Sequence, residues 1–247
     1  MKILYIFPHP SDEAFGPAAA IHKQIEAGHE VGLLTLTKGE SSSSRMNLGL
    51  TKQELAKKKL MEILHVQKML KLSSLKVLDY VDGELIKTDY TFLKKTIVTH
   101  VIKIKPDIIV TFPNHGLNIH PDNVVTHVVV KDVYEELKYE LNIKRLAYFT
   151  LPNDEKTNKI NGSLYKTDLI DIQCVLKLNE SNVQMLKDVV ECYETQRATF
   201  EAHNVLNLIG SKIHFQIYNE ILPHILSELT WFDSGEEENL FSYPTFV

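Results

Sequence analysis

The sequence predicts an α/β fold, a Rossmann-like three-layer sandwich with a mostly parallel sheet. Short apolar runs of strand length alternate along the chain with amphipathic segments of helix length. This alternation is typical of βαβ crossovers, which are right-handed and place successive strands parallel. The 247 residues, 44% of them hydrophobic, are enough for one domain with a substantial core. We therefore expect a single domain over residues 1–247.

The first half of the chain carries the clearest pattern. Residues 2–7 and 31–37 are compact apolar runs bounded by Pro8, Gly28 and Gly39, as expected of strands buried on both faces. Between them, apolar residues recur at helical spacing over 12–27, and Ser11 or Asp12 is suited to cap that helix. The same alternation continues with a helix at 52–72, a strand at 75–81, a helix at 92–104, a strand at 106–112, a helix at 124–141 and a strand at 146–151.

The pattern weakens after residue 152. A strand at 169–176 and helices at 180–199 and 211–229 are predicted there, and neither a linker nor a repeat divides the chain. We interpret residues 152–247 as a C-terminal extension of the same domain that covers one side of the ligand crevice.

Composition excludes several classes of protein. A net charge of -5 and a pI near 6.1 argue against a broad nucleic-acid-binding surface. The longest apolar runs fall short of the roughly 18 residues that a membrane span requires, so we expect a cytoplasmic protein without a membrane segment. The two cysteines are far apart, which favours neither a disulfide framework nor a cysteine metal site. The oligomeric state stays open between a monomer and a homo-oligomer.

Chemistry-bearing residues cluster after two of the predicted strands. His9 and Asp12 follow the first strand, and His120, Asp122 and Asn123 follow the fourth. In doubly wound sheets the ligand crevice lies beyond the carboxyl ends of the strands, so the loops after Phe7, Thr37, Tyr80 and Phe112 should converge on it. A histidine and a carboxylate three residues apart at a strand end can meet one metal ion. The alternative is that His9 bonds a backbone group while Asp12 and Asp122 cap helices.

These clusters resemble the motifs of the LmbE-like and PIG-L N-deacetylases. That family places His-Pro-Asp-Asp-Glu after its first strand and His-Pro-Asp-His after a later one. Here the corresponding residues are His9-Pro10-Ser11-Asp12-Glu13 and His120-Pro121-Asp122-Asn123. Weaker similarity extends over most of residues 1–200, through Leu36–Glu40, Asp79–Leu85 and the pair Thr195-Gln196. The resemblance implies the LmbE-like fold and removal of an acetyl group from a small amino-sugar substrate of N-acetylglucosaminyl type.

The resemblance also implies roles for individual residues. His9, Asp12 and Asn123 match the three ligands of Zn²⁺ or another divalent metal, but Asn123 replaces a histidine, which weakens metal binding. Ser11 replaces the aspartate that acts as general base, and a serine hydroxyl does not do this near neutral pH. His120 matches the residue that stabilises the oxyanion, with Asp122 orienting or charging it.

Other polar residues are candidates for substrate contact or support. Lys38 and Arg45 on the loop after the second strand, and His115 near the fourth, are predicted to bind a hydroxyl-rich or anionic substrate, although Arg45 is also interpretable as a solvated loop charge. Lys59 stands where the family commonly has arginine, near Glu62. His127 lies one helical turn after Asn123 and is a weaker metal candidate.

Two hypotheses follow for the function. The first is a metal-dependent deacetylase with an atypical site. The second is a catalytically silenced relative that binds a sugar-like ligand, because Ser11 and Asn123 affect the base and the metal together. Ordinary nucleotide binding is disfavoured because the first strand is not followed by a G-x-G-x-x-G turn.

Overall fold

The computed structural model describes residues 1–159 and 164–232. Its strands are β1 (Lys2–Phe7), β2 (Glu30–Thr37), β3 (Ser74–Tyr80), β4 (Ile108–Thr111), β5 (Arg145–Thr150), β6 (Cys174–Lys177) and β7 (Lys212–Ile217). Its α-helices are α1 (Pro17–Glu26), α2 (Ser44–Asn47), α3 (Lys52–Leu70), α4 (Tyr90–Ile104), α5 (Pro121–Leu137), α6 (Glu155–Asn158), α7 (Glu180–Cys192), α8 (Arg197–Ala202) and α9 (Val205–Ile209). Short 3₁₀ helices cover Asp12–Phe15, Leu85–Lys87, Leu169–Asp171 and Glu194–Gln196.

All seven strands belong to one sheet with the order β3-β2-β1-β4-β5-β7-β6. The pairs among β1 to β5 are parallel, while β7 is antiparallel to both β5 and β6. The strand order reverses at β1, which lies between β2 and β4. This topological switch point is where doubly wound folds bind ligands.

Helices cover both faces of the sheet. Apolar side chains of α1, α3 and α7 pack on one face, and those of α4 and α5 pack on the other. The central strands are accordingly buried on both sides: Ile3 to Phe7 of β1 are at most 2% exposed. The predicted three-layer α/β sandwich is confirmed. No helix in the described ranges is both long and apolar enough to cross a membrane.

The C-terminal elements differ from the sequence prediction. The predicted helix at 211–229 is wrong: residues 212–217 form β7, and from 218 to 229 the described chain continues without helix. The physical reason is the period of two in this segment, where Ile213, Phe215 and Ile217 are buried and alternate with more exposed polar residues. The predicted helix at 180–199 also ends early, at Cys192, and a 3₁₀ turn separates it from α8. At the other end of the chain, Asp12–Phe15 is a 3₁₀ turn before α1.

An ion pair between a buried arginine and a partly buried glutamate ties the C-terminal segment to the start of β5. Arg145 is 1% exposed, and its guanidinium donates two hydrogen bonds to the Glu220 carboxylate at 2.8 and 2.6 Å. The same group donates to the backbone carbonyls of Leu229 and Trp231. A planar guanidinium can serve all four acceptors at once, which lysine cannot do.

We expect Arg145→Met to lower the free energy of unfolding by about 1–3 kcal/mol, because the buried Leu229 carbonyl oxygen and the partly buried Glu220 carboxylate lose their donor. Denaturant unfolding followed by fluorescence of Trp231, the single tryptophan of the chain, measures this directly. Lys103→Met on the exposed face of α4 is the matched control and should change stability by less than about 0.5 kcal/mol. Equal stabilities of the two variants would contradict a stabilising role for the contacts of Arg145.

Candidate active site

A cavity of about 410 Å³ opens at the carboxyl ends of β1 to β4. All four loops predicted to converge there contribute to its wall, so that prediction is confirmed. The polar and charged lining residues are His9, Ser11, Asp12, Ser41, Ser42, Ser43, Lys59, Asp82, Asn118, His120, Asn123, Gln196, Thr199 and His203. Its volume is that of a small-molecule site.

The turn after β1 brings His9 and Asp12 together. Ser11 adopts a left-handed conformation with φ of +88°, and this reverses the chain so that the Asp12 carboxylate accepts a hydrogen bond from the His9 backbone N–H at 2.8 Å. The same carboxylate oxygen lies 3.4 Å from His9 Nδ1. Asp12 therefore does not cap the following helix, as the alternative interpretation held.

Carboxylates surround the other ring nitrogen of His9 as well. Nε2 lies 3.0 Å from Asp82 Oδ1 and 3.2 Å from Asp122 Oδ2. Burial by itself would lower the pKa of His9, but the adjacent Asp12, Asp122 and Asp82 outweigh it and hold the pKa well above its ordinary value. The three carboxylates therefore favour a positive charge at the His9 ring.

His120 is the N-cap of α5 and lies beside His9. The two rings meet edge to face with centroids 5.1 Å apart. His120 Nδ1 accepts the Asp122 backbone N–H at 3.3 Å, so in the neutral ring Nε2 carries the proton. Asp122 is fully buried, and its carboxylate accepts the backbone N–H groups of Gly83 and Leu85. It thus binds the loop after β3 and does not cap its own helix.

Asn123 is 5% exposed and is held by the loop that precedes α5. Its Nδ2 donates to the Gly116 carbonyl oxygen at 2.7 Å and to Asn118 Oδ1 at 3.2 Å. Gly116 has a φ of +56°, and a Cβ there would lie 2.5 Å from Asn123 Cβ. Only glycine allows the loop to approach this closely.

Lys59 brings a buried cation to the cavity wall. It is 1% exposed and lies against Gly39, whose φ of +69° and missing Cβ leave room for it. Burial lowers the pKa of Lys59, against the opposing effect of Asp82 and Asp12. Glu62, one turn further along α3, accepts the Thr195 backbone N–H at 3.0 Å and the Thr195 hydroxyl at 2.5 Å. That contact anchors the segment from which Gln196 reaches the cavity.

The site contains a group of side chains that could hold a metal ion. Ligand atoms of His9, His120 and Asp122 all lie within 4.8 Å of one another. Asp12 lies on the opposite side of the His9 ring, beside Nδ1. Among the described residues, three potential ligand atoms thus come together, from His9, His120 and Asp122, and a fourth, from Asp12, lies at the other edge of the His9 ring.

Four further sequence candidates lie elsewhere. Lys38 pairs with the exposed Asp79 at 2.5 Å, and Arg45 donates to the Leu50 carbonyl oxygen at 3.3 Å. The His115 ring stacks on Tyr165, and His127 Nδ1 donates to the Phe112 carbonyl oxygen in the core. None of the four is among the residues that line the cavity over the described ranges. Substrate contact by Lys38, Arg45 and His115 stays a prediction.

Two site residues in particular were not predicted from the sequence. Asp82 follows β3 at the same sheet edge as His9, so the rule that selected the other loops could have found it. His203, with Thr199 and Leu164, reaches the cavity from the C-terminal extension, where the sequence carries no recognisable motif. Nothing in the local pattern indicates that contribution.

Comparison with known proteins gives a consistent family match. The sequence model of the family described as GlcNAc-PI de-N-acetylase (PIG-L) matches residues 4–134. Diacetylchitobiose deacetylase of Thermococcus kodakarensis is 30% identical over 65% of this chain and 55% of that protein. The probable N-acetyl-alpha-D-glucosaminyl L-malate deacetylase 2 of Bacillus subtilis is 28% identical over 55% of this chain and 62% of that protein. The matches thus span little more than half the length of these relatives.

A solved structure extends the similarity to the whole fold. The 4-carboxy-2-hydroxymuconate hydratase of Pseudomonas putida superposes with a TM-score of 0.68 and 13% identity, covering 91% of this chain and 99% of that one. Likeness at this identity shows the fold alone, and the chemistry must be argued from the site.

Proposed function

Because the chain belongs to the PIG-L family, we propose that it is a metal-dependent hydrolase that removes the acetyl group of an N-acetylglucosaminyl-type substrate at an atypical active site. One observation carries the proposal. His9, Asp12, Asn123 and His120 come from two distant motifs and line one cavity at the topological switch point. The family resemblance predicted from the sequence is confirmed by the family match.

We propose that His9, through Nδ1, would hold the cation together with Asp12 and Asn123. Nε2 faces the Asp82 and Asp122 carboxylates and can donate its proton to them, so Nδ1, which faces Asp12, would be the ligating nitrogen once a cation takes the place of the proton there. Two ligands that each lie about 2.0–2.2 Å from one ion are separated by about 3–3.5 Å, and the observed separation is 3.4 Å. Asp122 fits better as the carboxylate that orients a ligating histidine, because its oxygens already accept two backbone N–H groups.

The catalytic roles follow from the same geometry. A divalent cation supplies Lewis-acid chemistry, which polarises an acetamide carbonyl and raises the acidity of the attacking water. His120 presents its Nε2 proton to the cavity and stabilises the negative charge that develops on the carbonyl oxygen. Ser11 stands at the position of the general base and has no carboxylate to accept a proton.

The cavity suits a hydroxyl-rich ligand of about one sugar ring in addition to its acetyl group. Polar groups of Lys59, Asp82 and Ser42 provide donors and acceptors in the lining, and Phe15 and Leu164 contribute apolar surface to it. This combination of an apolar surface with a few oriented polar groups is typical of small-molecule sites. The substitution at Ser11 keeps the silenced, ligand-binding relative as a second candidate.

We expect acetate release from N,N'-diacetylchitobiose or related N-acetylglucosaminyl glycosides when Zn²⁺, Mn²⁺, Co²⁺ or Fe²⁺ is supplied, and loss of release on chelation. His9→Ala should abolish both metal binding and turnover, since His9 joins the two halves of the site. Enzymatic detection of acetate measures the rate. Failure to release acetate across metals and glycosides would contradict deacetylation, and calorimetric binding of the same glycosides without turnover would instead support the silenced relative.

A further inference from the structure

The orientation of the Asn123 side-chain amide is determined by its partners. The Gly116 carbonyl oxygen can only accept, and Asn118 Oδ1 is identified as an oxygen because it also accepts the His120 backbone N–H at 3.0 Å. The NH₂ group of Asn123 must therefore face these two acceptors. Its oxygen, Oδ1, is fixed in the opposite direction.

Asn123 Oδ1 is buried and has no hydrogen-bond partner among the described residues. A buried acceptor left unpaired is costly, so a native site that presents one should have a partner for it. His9 and Asp12 line the same cavity, and the carboxylates around His9 make this region attractive to a positive charge. A cation bound in this part of the cavity would give the orphaned oxygen a partner.

We propose that Asn123 lowers the preference of this site for Zn²⁺ over Mn²⁺. The site then binds Mn²⁺, a cation that prefers oxygen ligands. The inference rests on the proposed metal site of the deacetylase. With Asn123 the donor set is one imidazole nitrogen, one carboxylate oxygen and one amide oxygen. Imidazole ligands suit zinc, whereas carboxylate and carbonyl oxygens suit manganese, magnesium and calcium.

The selectivity concerns a ratio of affinities. Most nitrogen and oxygen sites bind Zn²⁺ more tightly than Mn²⁺, and exchanging an imidazole for an amide removes part of that advantage. Gly116 and Asn118 hold the Asn123 amide in one orientation, so its oxygen can bind a cation without reorganising. The lower cost of reorganisation matters most for the affinity of a weakly bound cation.

The test measures binding of Zn²⁺ alone and of Mn²⁺ alone to chelator-treated protein, by competition with an indicator dye. Even outer-shell changes alter metal affinity by about 10- to 100-fold, so we expect Asn123→His to raise the ratio of Zn²⁺ to Mn²⁺ affinity by at least about tenfold. An unchanged ratio in a folded Asn123→His variant would overturn the proposal.

A second variant covers the case in which histidine does not fit against Gly116. Asn123→Ala removes the oxygen without adding bulk, and we expect it to weaken Mn²⁺ binding at least about tenfold. Unaltered Mn²⁺ affinity in Asn123→Ala would show that the oxygen is not a ligand and would also overturn the proposal. These readouts do not depend on turnover, so absence of acetate release with the expected metal ratios would contradict only the deacetylase activity.

Discussion

Replacing Ser11 with aspartate is expected to raise the rate of acetate release by about 10²- to 10⁴-fold, the contribution of a positioned general base. Ser11 lines the cavity and lies between His9 and Asp12 in the turn that brings those two residues together. An introduced carboxylate at this position therefore reaches the space in front of the metal site.

The backbone at this position accepts the change. Ser11 has a φ of +88°, and aspartate and asparagine adopt the left-handed region more readily than other residues that have a Cβ. Ser11→Asn is therefore the matched control, because it has the shape and backbone preference of aspartate without the basic carboxylate. Comparison of kcat for the wild type, Ser11→Asp and Ser11→Asn separates base catalysis from backbone relief. Equal rates in the two variants would argue against a missing base.

The parallel strands β1 to β5 and most of the polar residues of the site can be predicted from the sequence, because the patterns that determine them are local. Strands such as Lys2–Phe7 are continuous apolar runs, and in a parallel sheet the loops after them must lie at one edge. That geometry alone brings His9 and Asp12 near His120. It does not reveal that the two carboxylates of Asp82 and Asp122 bracket one nitrogen of His9, since those contacts depend on side-chain packing.

The secondary structure of the C-terminal region could not be predicted, for a different reason. The alternation in residues 212–217 allows a strand, but it is the pairing with β5 on one side and β6 on the other that selects it, and the order β5-β7-β6 is set by that tertiary pairing. A short run with isoleucine and phenylalanine at alternating positions is ambiguous without that context. The position of His203 at the cavity has the same origin, because it depends on how α8 and α9 pack and on no local motif.

Replacing His120 is expected to lower kcat by about 10²- to 10³-fold, the effect of removing one donor that stabilises an oxyanion. His120 also caps α5 through Nδ1, so a simple His120→Ala change would combine a catalytic loss with a helix-cap loss of about 1 kcal/mol. Asparagine is a favoured capping residue and lacks the Nε2 proton. His120→Asn should therefore retain the stability of the fold while losing the donor.

The experiment compares His120→Asn and His120→Ala, each in the Ser11→Asp background. The higher starting rate of that background allows a large decrease in kcat to be measured. Both variants should lose the same factor in kcat, while only His120→Ala should show a lower unfolding midpoint, because only that variant loses the cap. If His120→Asn kept the parental kcat, His120 would be a helix cap and not the oxyanion donor. Since Asp122 holds the loop after β3 through Gly83 and Leu85 in either variant, the metal side of the cavity stays assembled and the comparison isolates the imidazole.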